Sequence, residues 1–136
     1  MSELGQFEIL SLFKSNCLSF LDSLIEIFPD EGEILAARIL FENHIPVEEC
    51  IRQFAFRTLP YKEMIKTRNE KFFMTDNEIF SGSDQQKVVT WRQLWNSKRL
   101  DNDDRTRIWE WADLFLTLAE NYTENLKKIN SMQYKQ

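Results

Sequence analysis

The sequence predicts an all-α, single-domain bundle of five or six helices, in which the first and last helices are long. Glycine and proline number only three each among 136 residues, which disfavours a turn-rich β architecture. Apolar side chains recur at helical spacing through most of the chain. A chain of this length buries about two-thirds of its unfolded surface, so we expect no disulfide or metal to be needed for folding. The predicted domain covers residues 1–130.

The first two predicted helices are separated by Pro29. The first covers residues 4–28 and ends at Pro29, because proline cannot continue a helix interior. Its predicted buried face holds Phe7, Leu10, Phe13, Cys17, Phe20, Leu21, Leu24 and Phe28. The second covers residues 31–42, with Asp30 as its cap and Glu33 completing a capping box. Its predicted inward residues are Ile34, Ala37, Leu40 and Phe41.

The middle of the chain alternates short helices and breaks. A third helix begins with Pro46 at its first position and runs to about Arg57. Pro60 opens a fourth helix, which continues to about Phe72. Residues 74–86 have little periodicity and are predicted to form a loop. Residues 87–96 fit a short strand or a short helix, and the spacing of their apolar side chains favours the helix slightly.

The last predicted helix covers residues 102–130, and a frayed polar tail follows at 131–136. Asp101 is its predicted N-cap. The spacing also favours two ion pairs within its first turns, between Asp101 and Arg105 and between Asp103 and Arg107.

Aromatic side chains surround more than half of this last helix. Its apolar face centres on Ile108, Phe115 and Tyr122, and Trp111 lies about 45° from that centre at 100° per residue. Trp109 and Leu116 fall on the flanks. Because exposed aromatic side chains often anchor interfaces, the predicted contacts with a partner are Trp109, Leu116, Trp91 and Trp95.

No signature of a catalytic, cofactor or metal site emerges from the sequence. Cys17 and Cys50 fall on apolar helix faces, so we expect buried, reduced thiols in a cytosol-like compartment. His44 has no neighbouring ligand in the sequence and fits a loop position. No apolar segment reaches the length needed to span a membrane. We therefore expect neither an enzyme nor a membrane protein, and no cofactor.

A cluster of bases supports an alternative function, association with nucleic acid. The net charge of −5 argues against nonspecific binding to phosphates. A local exception is the predicted basic face of Lys62, Lys66, Arg68 and Lys71. Together with stacking on Trp91 and Trp95, this face would suit a nucleic-acid-associated accessory protein. Nucleic acid is the less favoured partner, because the acidic residues at 101–104 follow residues 91–99 almost at once and would repel phosphates.

Residues 60–122 show a pattern of proline, aromatic and acidic positions. Pro60 opens a helix, Asn69 and Glu70 precede Phe72 and Phe73, Leu94 and Trp95 follow a loop, and an acidic cap precedes Ile108, Trp109 and Tyr122. This pattern resembles small uncharacterised helical proteins of large nucleocytoplasmic DNA viruses. The resemblance implies a viral helical protein located in the host cytoplasm or in the virion, and it implies no enzymatic activity.

These observations together predict a helical protein that binds other proteins. A protein partner or self-association is expected, in a role such as a minor virion component or an assembly factor of a large DNA virus. An enzyme is the third and weakest alternative.

Overall fold

The computed structural model describes residues 5–76 and 84–134, and no strand occurs among them. The helical segments are α1 (Gln6–Ile27), α2 (Gly32–Asn43), α3 (Val47–Thr58), a 3₁₀ turn (Leu59–Tyr61), α4 (Lys62–Lys66), α5 (Glu70–Thr75), α6 (Gln85–Trp95) and α7 (Asn102–Tyr134). The predicted all-α fold with long first and last helices is confirmed. No described helix is long and apolar enough to cross a lipid bilayer.

The main core lies where α1, α3 and α7 pack together. Its buried members are Ile9, Phe13, Ile51, Ala55, Phe115, Leu118, Ala119 and Tyr122. The rings of Phe13, Phe54 and Phe115 contact one another at centroid distances of 5.7 to 6.2 Å in tilted and edge-on geometries. Such aromatic pairs add about 0.5–1.5 kcal/mol each beyond the area they bury. Aromatic packing therefore fixes how the two long helices cross.

A second core joins the end of α1 to the start of α7. It consists of Leu24, Phe28, Ile34 and Leu100. Arg99 covers this core, because its guanidinium lies 5.9 Å from the ring centroid of Phe28 and donates a 2.6 Å hydrogen bond to Asp30. The turn before α7 is thereby held against the turn before α2.

The prediction of which residues of α1 and α2 are buried was partly wrong. Phe7 is 81% exposed, whereas Ile9 is fully buried, because two residues rotate a side chain by about 200° around a helix. Leu40 is 44% exposed rather than inward. The cap of α2 is Glu31, whose carboxylate accepts a 3.4 Å hydrogen bond from the Glu33 amide. Asp30 is not the cap, because its carboxylate pairs with Arg99.

The single helix predicted from Pro60 to Phe72 is divided in two. Arg68 has a φ of 57°, in the left-handed region, and this reversal ends α4. The side chain of Asn69 then accepts a 3.0 Å hydrogen bond from the Phe72 amide and caps α5. The Arg68 guanidinium donates to both carboxylate oxygens of Asp113 on α7, at 2.9 and 2.7 Å. A long-range ion pair therefore holds the break in place.

Residues 85–95 form a helix, so the helical interpretation of residues 87–96 is confirmed. Within the predicted loop at 74–86, Asp84 caps α6 by accepting a 2.9 Å hydrogen bond from the Gln86 amide. The middle of that predicted loop, residues 77–83, lies outside the described residues.

The start of α7 agrees with the predicted cap but not with the predicted ion pairs. Asp101 accepts a 2.7 Å hydrogen bond from the Asp104 amide, and Asp104 accepts a 3.1 Å bond from the Asp101 amide. Arg105 donates instead to the carbonyl of Trp95, and Arg107 pairs with Asp104. The helix continues to Tyr134, past the predicted end at 130. Of the predicted tail at 131–136, residues 135–136 lie outside the described residues.

Candidate partner-binding cleft

Trp109 is the centre of an aromatic cluster that joins α5, α6 and α7. Its ring lies 5.7 Å from Phe73 on α5 and 5.6 Å from Trp95 on α6, measured between centroids. The Arg68 guanidinium lies 5.7 Å from the Trp109 ring centroid, at a distance typical of a cation–π contact. The helices α5 and α6 are therefore attached to α7 through aromatic side chains.

Hydrogen bonds fix α6 against α5 within this cluster. The indole N–H of Trp95 donates to the Glu70 carboxylate at 2.9 Å. The guanidinium of Arg92 donates to the carbonyls of Phe73 and Asp76, at 2.9 and 2.8 Å. The first bond joins two side chains and the other two join a side chain to the backbone, and together they tie α6 to α5 and to the residue that follows it.

A cleft of about 620 Å³ opens between α6 and the helices that face it. It is called the tryptophan cleft below. Its apolar lining comes from Phe54, Ile65, Phe73, Met74, Val88, Trp91, Trp95, Ile108, Trp109 and Ala112. Its polar lining comes from Arg57, Thr58, Glu70, Asp84, Lys87 and Arg92. Its size and its mainly apolar lining match those of sites that bind small molecules or anchoring side chains.

A smaller cavity of about 150 Å³ lies next to the tryptophan cleft, against the second core. Trp91, Trp95 and Ile108 line both spaces. The two spaces are therefore neighbours, and the face of α6 that carries Trp91 and Trp95 borders both. Both spaces are open to solvent, and α6 contacts the other elements less extensively than α1, α2, α3 and α7 do among the described residues.

The structure brings together three of the four predicted partner contacts. Trp91, Trp95 and Trp109 all line the tryptophan cleft. Trp91 is the most accessible of them, at 36% exposed. The prediction for Leu116 was wrong, since this side chain is only 1% exposed. Leu116 lies on the same flank of α7 as Trp109 but about two turns further along the helix, where α4 packs against α7 through the Lys62–Glu120 and Arg68–Asp113 pairs.

The predicted basic face is partly neutralised by carboxylates of α7. Lys62 donates a 2.9 Å hydrogen bond to Glu120, and Arg68 is paired with Asp113. The pKa of Lys62 is raised by its hydrogen bond to Glu120, and that of Arg68 by its hydrogen bond to Asp113. Lys66 and Lys71 are exposed. Two of the four predicted bases therefore stabilise the packing of α4 and its C-terminal turn against α7.

Comparison with protein families, with curated proteins and with solved structures finds no match for this chain. The candidate site therefore has to be judged from its own geometry. No group of three or more possible metal ligands occurs among the residues that the structure describes.

The two cysteines are free thiols that pack against the main core. Burial, with a smaller effect of the neighbouring Cys50, raises the pKa of the Cys17 thiol to about 12. Burial and the nearby Glu49 carboxylate also raise the pKa of Cys50. A raised pKa keeps both thiols protonated at neutral pH and lowers their reactivity as nucleophiles.

Several residues of the cleft were not predicted as site residues. Phe54, Ile65 and Ile108 follow the pattern of ordinary core positions, and only the arrangement of the helices places them along the cleft. Lys87 lies in the first turn of α6, where its position at the cleft depends on where that helix begins. A correct boundary for α6, together with its helical phase, was the signal that would have found it.

Proposed function

We propose that this chain is a non-enzymatic helical interaction protein that holds an apolar segment of a partner protein in the tryptophan cleft. The observation that carries the proposal is the convergence of Trp91, Trp95 and Trp109 on one cleft of about 620 Å³. Tryptophan is enriched among the residues that contribute most to binding energy at protein interfaces. Trp91, at the edge of this cleft, is the first side chain that such a partner would contact.

The polar groups of the cleft support binding rather than catalysis. Glu70 accepts the N–H of Trp95, Arg92 is bonded to two backbone carbonyls, and Asp84 caps α6. Side chains that are engaged in this way hold the walls in position and are poorly placed to move protons. The remaining surface is suited to apolar side chains, as in the buried centre of an interface.

The resemblance of residues 60–122 to small helical proteins of large nucleocytoplasmic DNA viruses supports a more specific role. Within the proposal, the chain is a minor virion component or an assembly factor that acts in the host cytoplasm. Mass spectrometry of purified virus particles and of infected cytoplasm checks this part. Absence of the chain from both fractions, while other viral proteins are detected, would contradict it.

Site-specific photo-crosslinking tests the binding proposal. A benzoyl-phenylalanine is placed at Trp91 in the cleft, and in a matched control it is placed at Phe56, which is 80% exposed on α3 and does not line the cleft. In cells that naturally contain the protein, we expect a discrete crosslinked partner from position 91 that is absent from position 56. Excess unlabelled wild-type chain should compete for this partner, whereas a Trp91→Ala chain should compete poorly.

Two outcomes would contradict the proposal. The same set of proteins crosslinked from both positions would show that exposed aromatic side chains capture proteins without selectivity. Equal competition by the wild-type and Trp91→Ala chains would show that the cleft does not contribute to binding. A crosslink between two copies of the chain would identify self-association at the cleft, and the competition experiment applies to it without change.

Nucleic-acid binding has less support as a second function. Lys62 and Arg68 are already paired with Glu120 and Asp113, so fewer positive charges are available to neutralise phosphates. If the basic face does bind nucleic acid, Lys66→Glu and Lys71→Glu should weaken retention on a nucleic-acid column and reduce its dependence on salt. Under the main proposal, the wild-type chain elutes at low salt.

A further inference from the structure

We propose that the tryptophan cleft binds a long-chain carboxylic acid, with the acyl chain between α6 and α7 and the carboxylate at Lys87. This inference concerns the same cleft as the proposed function, but it requires no protein partner. It rests on the shape of the cavity, on the state of the polar groups around it and on the charge of one lysine.

The shape of the space favours a linear chain over a compact ligand. The tryptophan cleft and the smaller cavity of about 150 Å³ share Trp91, Trp95 and Ile108 in their linings. The Trp95 indole is held by Glu70, so the side chain whose rotation would join the two spaces into a longer channel is the more exposed Trp91. Side chains at an exposed helix edge change rotamer readily, so an acyl chain could extend into the smaller cavity.

Most polar side chains of the cleft already have hydrogen-bond partners, so few of them can bind polar groups along the length of a ligand. The Glu70 carboxylate accepts the Trp95 N–H, and Thr58 donates its hydroxyl to the Phe54 carbonyl at 2.6 Å. The Arg92 guanidinium is bonded to backbone carbonyls. A ligand with many hydroxyl or amide groups would therefore lose its own hydrogen bonds to water without replacing them.

Lys87 is the group that gives the cleft a preferred ligand charge. It is exposed, and no hydrogen bond or ion pair joins its ammonium to another residue that the structure describes. The lining also holds the carboxylates of Glu70 and Asp84, but its three bases, Arg57, Lys87 and Arg92, outnumber them by one. A ligand carboxylate at the cleft mouth would give Lys87 an ion partner, whereas a cationic head group would be repelled by it. The complementary ligand is thus an anionic, single-chain amphiphile.

Energy transfer from tryptophan to cis-parinaric acid tests this inference on the purified, delipidated full chain. Three of the four tryptophans line the cleft, so a bound probe should quench their emission at one site per chain. Palmitic acid should displace the probe about tenfold more effectively than hexadecanol, since a charge-assisted hydrogen bond contributes about that factor. All titrations are made below the concentration at which the lipids aggregate.

A matched pair of charge reversals locates the carboxylate. Lys87→Glu should lower the affinity for palmitic acid about tenfold and leave that for hexadecanol nearly unchanged. Lys98→Glu makes the same change of charge at an exposed residue that does not line the cleft, and it should bind both lipids like the wild type. Ala112→Phe places a ring in the cleft and should abolish probe binding while circular dichroism shows a helical fold.

Several results would overturn the inference. These are absence of saturable probe binding, equal displacement by palmitic acid and hexadecanol, and equal affinities for palmitic acid in the Lys87→Glu and Lys98→Glu chains. If Ala112→Phe does not fold, the two charge reversals still decide the question. A protein partner crosslinked at Trp91 in cells would stand even if lipid binding failed, and lipid binding would stand without a partner.

Discussion

Two aspartates that were both predicted to cap helices have different roles in the structure. Asp101 and Asp104 exchange hydrogen bonds with each other's backbone amides at the start of α7. Asp30 instead forms an exposed ion pair with Arg99. Asp101→Ala should therefore lower the free energy of unfolding by about 1 kcal/mol, the usual cost of a lost cap. Asp30→Ala should have a smaller effect, because exposed ion pairs contribute little to stability.

Urea denaturation of both variants measures this difference. Asp101→Asn retains a side-chain oxygen at the cap position and serves as the control, so it should recover most of the lost stability. An equal or larger loss in Asp30→Ala would mean that the turn before α2 depends on Asp30 more than its exposure suggests.

The Cys17 thiol gives the chain a predictable response to alkaline pH. Burial raises its pKa from an ordinary value of 9.0 to about 12 in the folded chain. A raised folded-state pKa means that the protonated form is favoured by folding. Its contribution to stability is complete below about pH 9 and is lost as the pH rises towards about 12. We expect the free energy of unfolding to decrease across this range.

Comparison with Cys17→Ala isolates the contribution of the thiol. The variant is expected to be less stable overall at neutral pH, but its stability should decline less steeply between pH 9 and pH 12. Tyr122, whose pKa is raised to about 12 mainly by burial and also by its hydrogen bond to Glu48, contributes a similar decline in both chains. Parallel stability curves for wild type and Cys17→Ala would show that Cys17 ionises as easily folded as unfolded.

At the scale of elements, the break between α4 and α5 depends on the backbone of one residue. Arg68 has a φ of 57°, which costs a residue with a Cβ atom about 1–2 kcal/mol relative to glycine. Arg68→Ala and Arg68→Gly both remove the ion pair with Asp113, but only the glycine relieves the backbone. Arg68→Gly should therefore be more stable than Arg68→Ala by about 1 kcal/mol, measured by thermal unfolding. Equal stabilities would indicate that α4 and α5 join into one helix when Arg68 is replaced.

The helix boundaries that were predicted correctly are set by residues close together in the sequence. Those that were predicted wrongly depend on contacts between residues far apart in the sequence. The start of α7 follows from Asp101 and Asp104, which are three residues apart and satisfy each other. The break at Arg68 could not be found in the same way, since its partner Asp113 lies 45 residues further along the chain. Leu40 has core-like spacing, but α2 packs mainly against α1. Part of the apolar surface of α2 therefore remains exposed.

At the scale of the whole molecule, the tryptophans of the cleft could be predicted as a set, but the cleft could not. Trp109 lies on a flank of α7 and Trp91 and Trp95 share one face of α6, which the helical period reveals. Leu116 also lies on a flank of α7 but is buried. Asp113 and Glu120 lie on that same flank and pair with Arg68 and Lys62. Trp109 and Leu116 are seven residues apart and share this flank, so only the place where α4 packs along it distinguishes the buried Leu116 from the cleft-lining Trp109.

The two tryptophans on α7 pack against different helices, so we expect their replacement by alanine to destabilise different parts of the molecule. Trp111 stacks on Phe115 and contacts Phe20, at centroid distances of 5.8 Å, and so belongs to the packing of α1 against α7. Trp111→Ala should lower the free energy of global unfolding by about 3–5 kcal/mol. Trp109 contacts Phe73 and Trp95 instead, and its replacement by alanine should mainly release α5 and α6 from the bundle.

Hydrogen exchange followed by mass spectrometry can separate these effects. In Trp109→Ala, peptides of α6 should lose protection while peptides of α1 and α3 retain it, because sub-global opening requires only the contacts around the cleft to break. In Trp111→Ala, protection should fall in α1, α3 and α7 together. Equal loss of protection throughout both variants would mean that α6 and the main core unfold as a single unit, in spite of the two open spaces that α6 borders.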